Sequence, residues 1–392
     1  MLPASLCTRR RCTCHMTDIA SVEAAVDHGV RSGTELIIAL GTDLMYQLST
    51  AGQELFHSNM LYWLATNAPG SSAPIWELFG METPTAAFRE YQKVDLYVKS
   101  AKGHLFLENK VMALPDEEQL ARYSERLEKQ GFDDNAQWIL LTLIPPVFEI
   151  SRVGSGRWRC VTYRDLLPAL QETINALEGS DRDVVTRYAE MVSNLVDLAA
   201  VYDPQRDMNS PFWLEATLQE SLEQSRLASV VKKLQMTRCA EGIRERLNAV
   251  GDRADAARVD AGMSTRSKAG IVQHFIEYKS GRGTRQLGWQ LEGRQLRLVG
   301  ILGDNEWKRI DPSRRGQILE DENEGYFSFG DGFEEFGELL EPYSGKRDWL
   351  QYGEQFRYRY STVKEETTWS ELINLLTHAS ERAFRQVSHA GR

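Results

Sequence analysis

The feature that most constrains the fold is an uninterrupted apolar segment in the first half of the chain. It covers Gln137–Ile144 and stops at the pair Pro145-Pro146. Because apolar and polar residues do not alternate in it, the segment is typical of a strand that is buried on both faces of a sheet. Such a strand needs a covering layer on each side, which favours an α/β architecture.

Two segments upstream predict a β-hairpin with charged side chains on one face. Lys93–Lys99 and Leu105–Val111 are joined by a short turn. Since strand side chains point alternately to opposite faces, Glu108 and Lys110 share one face of the second segment, and Asp95 can oppose them from the first. Two carboxylates and an ammonium would then meet, which suits a divalent metal with a cation beside it. A solvated sheet face with the same residues is the alternative, so the flanking segments must decide.

The segments around the hairpin predict the remaining architecture of the first half. Helix signals precede the hairpin and alternate with strands after it, and Pro115 followed by acidic residues is a strong helix start. The order helix, hairpin, helix, strand, strand, helix predicts a mixed β-sheet with helices on both faces. The expected helices cover 17–28, 33–49, 52–65, 115–129, 164–177 and 183–201, and a further strand covers 158–163.

Five motifs follow one another along these segments: ELFHSNMLYWL with Glu54, KVDLYV with Asp95, LFLENKV with Glu108 and Lys110, QLARY with Gln119, and VTYRDLL at 161–167. Taken together, they resemble the PD-(D/E)XK nuclease superfamily, in particular a bacterial branch with Glu-Leu-Phe-x-Ser and Gln-Leu-x-x-Tyr helices. Val94 stands where the family nominally has proline, a position that varies within it. The resemblance implies a restriction-endonuclease-like fold, with a mixed β-sheet core flanked by helices.

The resemblance also implies a metal site. Asp95 and Glu108 would bind Mg²⁺ through carboxylate oxygens, with the backbone carbonyl of Asn109 as a further ligand, and Mn²⁺ is expected to substitute. Glu54 would hold a water of the metal or a second metal from the opposite helix. Lys110 would position the attacking water or neutralise charge in the transition state. The reaction would be hydrolysis of a phosphodiester bond by in-line attack of water.

Three further residues near these motifs are candidates for a role in the site. Gln119 would orient the Lys110 ammonium or contact the scissile phosphate, as the resemblance implies. His57 and His104 have the chemistry of general bases. Histidines at such positions are more often polar bystanders, so both interpretations stay open.

The composition restricts the class of protein. The chain has 392 residues and a net charge of −10, so it is long enough for two or three domains but is not basic overall. A nuclease can be acidic when its basic charge is confined to a groove. No apolar run reaches membrane-spanning length and no secretory segment opens the chain. Five irregularly spaced cysteines predict a reduced, cytoplasmic protein, and the lack of a membrane-spanning run predicts that it has no membrane partner.

We predict three regions along the chain. Residues 1–16 form a disordered leader, 17–203 the PD-(D/E)XK nuclease domain, and 204–392 a helical segment with an α+β C-terminal domain of unknown role. In that last region, helices over 212–262 precede strands that include Tyr326–Phe329. Its basic stretch over 279–315, with interleaved Trp289, either engages nucleic acid or is a solvated sheet face. The leader contains possible zinc ligands, but their spacing lacks a second ligand pair: Cys7, Cys12, Cys14 and His15.

The function that these observations favour is a metal-dependent nuclease that hydrolyses phosphodiester bonds of nucleic acid, DNA rather than RNA. By family analogy, its setting would be bacterial restriction, repair or anti-phage defence. Two alternatives stay open: a nuclease-fold protein that binds nucleic acid without cutting it, and a protein-interaction module. The complete set of Asp95, Glu108 and Lys110 argues against the first alternative. A homo-oligomer is compatible with the sequence, which carries no interface signature.

Overall fold

The chain folds into two β-sheets that are each packed against helices. The computed structural model describes residues 31–52, 54–132, 136–146, 148–249, 259–280, 283–303, 306–330, 332–341 and 349–390. The predicted leader, with Cys7, Cys12, Cys14 and His15, lies outside these residues, as does the helix predicted over 17–28.

The first sheet has five strands in the order β1-β2-β3-β4-β5. The first three are antiparallel neighbours, whereas β3, β4 and β5 run parallel, so the sheet is mixed as predicted. The apolar segment Gln137–Ile144 supplies most of β4, whose side chains are buried on both faces. The strands are β1 (Ala86–Arg89), β2 (Leu96–Lys99), β3 (His104–Lys110), β4 (Ala136–Thr142) and β5 (Trp158–Thr162).

Helices cover both faces of this sheet, which confirms the predicted restriction-endonuclease-like α/β core. On one face, a large apolar core joins the sheet to eight of the described helices. On the other face, α5 packs its apolar side chains against aromatic residues of β2, β3 and β4. The helices are α1 (Gly33–Thr42), α2 (Leu44–Gly52), α3 (Glu54–Asn67), α4 (Ala73–Leu78), α5 (Glu117–Glu128), α6 (Tyr163–Ala176) and α7 (Gly179–Val201).

Local capping explains where the first half departs from the predicted elements. The single helix expected over 33–49 is divided at Asp43, whose carboxylate accepts a hydrogen bond from the Tyr46 N–H at 2.7 Å and starts a new helix. The strand expected to reach Tyr163 ends one residue earlier, because Thr162 and Asp165 form a capping box that begins α6. Helix α4 and strand β1 were not predicted.

The second half is an α+β region, as predicted. Its sheet has the order β10-β12-β9-β8-β7-β6, with β11 paired to β12. The helices predicted over 212–262 end earlier, since β6 begins at Val259, and Tyr326–Phe329 is not a strand because Tyr326 and Phe327 turn into the core. The elements are α8 (Ala216–Gln224), α9 (Ala228–Ala249), β6 (Val259–Met263), β7 (Gly270–Ser280), β8 (Gly283–Glu292), β9 (Gln295–Ile301), α10 (Arg315–Glu322), β10 (Leu340–Glu341), β11 (Leu350–Tyr352), β12 (Phe356–Val363) and α11 (Trp369–Ala390).

Helix α9 belongs to both cores. Val231 and Leu234, in its first half, are buried in the core of the first sheet. Cys239, Ile243 and Leu247, further along the same helix, are buried in the core of the second sheet. The predicted division of the chain at residue 203 stays a prediction, but the hydrophobic core of the first sheet extends beyond it. Among the described helices, none is both long and apolar enough to span a membrane.

Candidate active site

The β2–β3 pairing brings three of the predicted residues together. Its register sets Leu96 opposite Leu107, so that Asp95, one residue before β2, comes level with Glu108. Asp95 Oδ2 accepts a hydrogen bond of 2.7 Å from the backbone N–H of Asn109, the residue after Glu108. Glu108 Oε1 lies 2.8 Å from the Lys110 Nζ. The two carboxylates and the ammonium therefore form one cluster at the end of the hairpin.

A turn with unusual backbone geometry precedes Asp95. Glu90, Gln92 and Lys93 have φ values of 52°, 54° and 72°, in the left-handed region that non-glycine residues rarely adopt. Each such residue costs roughly 1 kcal/mol or more, so surrounding contacts must hold the turn. Arg126 of α5 donates a hydrogen bond of 2.7 Å to the Gln92 carbonyl, and the Glu90 N–H donates to the Asp95 carbonyl at 3.1 Å. Arg126 therefore fastens this turn to α5.

The turn also corrects one detail of the predicted hairpin. Val94 and Leu96 belong to an alternating segment, in which regular strand geometry would place residues two apart on the same face. Val94 instead packs with Tyr97 and Phe106 on the α5 side of the sheet, whereas Leu96 lies in the core on the opposite side. Residues 91–93 form a 3₁₀ turn, so regular alternation begins only at β2.

The electrostatics of the cluster are those of crowded, buried carboxylates. Glu108 is 2% exposed, and burial together with the nearby Asp95 charge raises its pKa to about 7, although Lys110 opposes this. Burial also raises the pKa of Asp95, against the effect of its backbone hydrogen bond and of Lys110. Burial alone would lower the pKa of Lys110, but the surrounding carboxylates outweigh it and raise that pKa. The site thus concentrates negative charge around one protonated lysine.

Glu54 reaches the same cluster from the first residue of α3. Its Oε1 accepts hydrogen bonds from the backbone N–H groups of Met112, at 2.9 Å, and Ala113, at 2.7 Å. The carboxylate is thereby fastened to the turn that follows β3. Its charge contributes to raising the pKa values of both Asp95 and Lys110, which places it within electrostatic range of the predicted metal ligands.

Gln119 lies on α5 beside the site, next to Tyr123. Its side-chain amide donates a hydrogen bond of 2.7 Å to the Tyr123 hydroxyl, and its backbone N–H is capped by Asp116. Burial raises the pKa of Tyr123, and the Glu108 charge adds to this effect, so the phenol faces the carboxylate cluster. The side-chain amide of Gln119 is bonded to Tyr123 in this structure. Its contact with Lys110 or with a phosphate therefore stays a prediction.

Asn109 has a structural role that the sequence argument missed. Its side chain is fully buried on the face of β3 opposite Glu108. It donates to the Glu54 carbonyl at 3.1 Å, and it accepts from the Tyr163 hydroxyl at 2.7 Å. The amide therefore ties α3 and α6 to the strand that carries Glu108 and Lys110. The sequence does contain a sign of this role, because Asn109 follows Leu105 and Leu107 on the apolar face of the strand. A buried amide at such a position needs hydrogen-bond partners.

The two histidines lie away from the carboxylates. His57 is buried in the helical core, where its Nδ1 is 3.1 Å from the Tyr188 hydroxyl, and burial lowers its pKa to about 3. His104 is the first residue of β3 rather than part of the turn, and its Nδ1 is 2.8 Å from the Tyr97 hydroxyl. Both therefore fit the bystander interpretation better than that of a general base.

The residues present suit a hard divalent cation, although the described part of the chain contains no group of three or more His, Cys, Asp or Glu arranged to hold a metal. Glu108 Oε2 is buried and has no hydrogen-bond partner among the described residues. A buried carboxylate oxygen without a partner is costly unless a cation or solvent satisfies it. Mg²⁺ needs only one or two carboxylates because it keeps several waters. Asp95 and Glu108 meet that need.

Two arginines of the basic stretch over 279–315 are internal. The Arg285 side chain is fully buried and pairs with Glu306, at 2.5 Å, and with Glu322. Arg315 is likewise nearly buried and pairs with Glu354. Trp289 is fully buried, so it is not available to stack on a base. These residues stabilise the second core and do not form a nucleic-acid surface.

Comparison with known proteins identifies the segment that carries the cluster. The family model of the PD-(D/E)XK nuclease superfamily matches residues 80–190, which include Asp95, Glu108, Lys110 and Gln119. This confirms the predicted resemblance over that segment and the nuclease-type fold of the first sheet. Glu54 lies outside the matched residues. No curated protein and no solved structure matches the chain.

Proposed function

We propose that this chain, whose residues 80–190 match the PD-(D/E)XK nuclease superfamily, is a metal-dependent nuclease that hydrolyses phosphodiester bonds of nucleic acid. One observation carries the proposal: Asp95, Glu108 and Lys110 meet in a partly buried cluster in which Glu108 Oε2 has no hydrogen-bond partner among the described residues. A cluster of this kind destabilises the fold unless it serves a charged ligand, because each buried carboxylate is costly to ionise.

Asp95 and Glu108 are the residues that would hold the metal, with the Asn109 backbone carbonyl and Glu54 as further ligands at the same end of β3. When bound, Mg²⁺ supplies a Lewis acid that polarises the phosphate and makes water a better nucleophile at neutral pH. Mn²⁺ prefers the same oxygen ligands and is expected to substitute. Because burial and Asp95 raise the pKa of Glu108 to about 7, this carboxyl must lose its proton to act as a ligand.

Lys110 provides the positive charge that the reaction needs. Its pKa is raised by the carboxylates, so the ammonium stays protonated at neutral pH. In the proposed reaction it orients the attacking water by a hydrogen bond and neutralises charge that develops on the phosphate oxygens in the transition state. Gln119 would assist by contacting Lys110 or the scissile phosphate, once its amide leaves the Tyr123 hydroxyl.

DNA is the substrate class that we propose, in a cytoplasmic setting of bacterial restriction, repair or anti-phage defence. This part of the proposal rests on analogy with the superfamily, since phosphate contacts by themselves do not distinguish DNA from RNA. A nuclease-fold protein that binds nucleic acid without cutting it is the second candidate. The intact cluster favours cleavage over that candidate.

The decisive experiment compares cleavage by the purified protein with that by Asp95→Asn and Lys110→Met. Substrates are supercoiled and linear double-stranded DNA, single-stranded DNA and RNA, each with Mg²⁺, Mn²⁺ or EDTA. Both variants should lose at least about a hundredfold in rate, the typical effect of removing a group that stabilises charge in the transition state. Lys102→Met is a matched control, because Lys102 lies in the turn of the same hairpin with a 79% exposed side chain.

The outcomes separate the candidates. Metal-dependent cleavage by the wild-type protein and by Lys102→Met, but not by the other two variants, supports the proposal. Binding of DNA without cleavage under any metal condition would favour the second candidate. Cleavage that persists in EDTA and in both site variants would come from a contaminant and would leave the proposal without support.

A further inference from the structure

Helix α9 places a second lysine against the turn that follows Lys110. The Lys233 Nζ donates a hydrogen bond to the backbone carbonyl of Met112. The N–H of the same residue, Met112, donates to Glu54 Oε1. The backbone of Met112 is therefore held from both sides, by a carboxylate of α3 and by an ammonium of α9.

The position of Lys233 is fixed by packing rather than by the hydrogen bond alone. Its neighbours Val231 and Leu234 are buried in the core of the first sheet, and later turns of α9 are buried in the second core. The packing of α9 fixes the backbone of Lys233 beside the turn, and the hydrogen bond to Met112 directs its ammonium. Residue 233 also lies well beyond the segment 80–190 that matches the nuclease superfamily.

The charges around Lys233 connect it to the cluster. Burial lowers its pKa, the Glu54 carboxylate opposes that effect, and Lys110 adds to it. Lys233 therefore lies within electrostatic range of both residues. Glu54 is attracted by Lys233 and Lys110 and is repelled by Asp95, so loss of either lysine leaves the carboxylates less compensated.

We propose that Lys233 is a positioning residue of the nuclease site: it fixes the turn at 111–114 so that the N–H groups of Met112 and Ala113 hold the Glu54 carboxylate beside Lys110. This inference rests on the proposed function and extends it, since it makes the second half of the chain part of the active site. Removal of the ammonium frees the Met112 carbonyl and loosens the two N–H groups that bind Glu54. The site then holds the cation less well, although Asp95 and Glu108 remain.

The test compares Lys233→Met with the wild-type full-length protein. Lys233→Arg, which keeps a charged donor, serves as the rescue variant. Lys232→Met is the matched control, because the neighbouring Lys232 lies 3.6 Å from the surface residue Glu223 and has no described contact with the turn. The first readout is amide hydrogen exchange of a peptide covering 111–114, with a peptide from β4 as the reference for global unfolding. The second is the concentration of Mg²⁺ or Mn²⁺ that gives half-maximal cleavage.

The expected result is a specific change at the turn. In Lys233→Met, exchange at 111–114 should be about tenfold faster while the β4 peptide is unchanged, because a charge-assisted hydrogen bond is lost locally. The metal concentration for half-maximal cleavage should rise several-fold at unchanged thermal stability. Lys233→Arg should recover most of both effects, and Lys232→Met should behave as the wild type does.

Two results would overturn the inference. Exchange at 111–114 that is the same in Lys233→Met and in the wild type would show that the lysine does not hold the turn. Faster exchange with an unchanged metal requirement would show that the turn does not position Glu54 for the site. If the wild type cleaves nothing, the proposed function fails separately, and calorimetric Mn²⁺ binding replaces cleavage: weaker binding by Lys233→Met supports the positioning role, and equal binding refutes it.

Discussion

The buried His57 predicts a loss of stability in acid whose size follows from its environment. The imidazole is enclosed by the rings of Phe56, Tyr163 and Tyr188, and its Nδ1 is 3.1 Å from the Tyr188 hydroxyl. Burial in this apolar setting lowers its pKa from 6.5 to about 3. The folded protein therefore keeps His57 neutral at a pH where the unfolded chain already binds a proton there.

The sign and magnitude follow from proton linkage. Between pH 6.5 and about 3, the unfolded state binds one more proton at His57 than the folded state does, so the free energy of unfolding falls as the pH falls. The contribution is fully present above pH 6.5. Each pH unit below that value costs about 1.4 kcal/mol, so at pH 5 the loss is roughly 2 kcal/mol.

The perturbation that isolates this effect is His57→Gln. Glutamine does not titrate, and its amide can still form a hydrogen bond with the Tyr188 hydroxyl. Urea unfolding of the wild type and the variant between pH 5 and 8 gives the difference in unfolding free energy at each pH. That difference should change by roughly 2 kcal/mol in favour of the variant as the pH falls from 6.5 to 5. Subtraction of the two curves removes the opposite contribution of Glu108, whose raised pKa favours the folded state as the pH falls.

The control for this experiment is His104→Gln. His104 is only partly buried, and its pKa is lowered less strongly, by burial and by the Lys99 charge. Its curve should stay closer to that of the wild type. If the curves for His57→Gln and the wild type are parallel between pH 5 and 6.5, the argument from burial is refuted.

Two further predictions concern the site and its support. Below about pH 7 the affinity of the wild type for Mn²⁺ should fall up to tenfold per pH unit, because Glu108 must lose its proton to bind the metal. Glu108→Gln should bind Mn²⁺ more weakly, and its affinity should depend less steeply on pH. Calorimetry across pH 5.5–8 measures both affinities, and equal slopes would contradict the assignment of that proton to Glu108. Gly154→Ala should lower the free energy of unfolding by at least about 1–2 kcal/mol, since the φ of Gly154 is +56° and an added Cβ would come within 2.4 Å of Ser124 Oγ. Urea unfolding measures this effect, and Gly70→Ala is the control because nothing lies within 4 Å of the Cβ added there. Similar effects of both substitutions would refute the prediction.

The buried Arg285 illustrates how a charge pattern changes meaning once a chain is folded. In the sequence it belongs to a basic stretch that either engages nucleic acid or is a solvated sheet face. In the fold it pairs with Glu306 and Glu322, which are distant in sequence, inside the second half. The net charge of a segment predicts a surface only if its members stay on the surface, and burial of ion pairs depends on tertiary packing.

Several features of this protein follow from local periodicity alone. Alternation along the hairpin predicted that Glu108 and Lys110 share a face that Asp95 can oppose, and the apolar run from Gln137 to Ile144 predicted a strand buried on both sides. Both follow from the two-residue repeat of a strand, which is a property of neighbouring residues and needs no knowledge of the rest of the fold.

The contacts that hold the cluster in place form only in the folded chain. The bonds from Met112 to Glu54 and from Lys233 to Met112 join residues far apart in sequence, and no periodicity relates them. The buried amide of Asn109, which ties two helices to β3, likewise found its partners through packing. Such contacts depend on the relative placement of whole elements, which is set by how α3, α6 and α9 bury their apolar faces against the sheet.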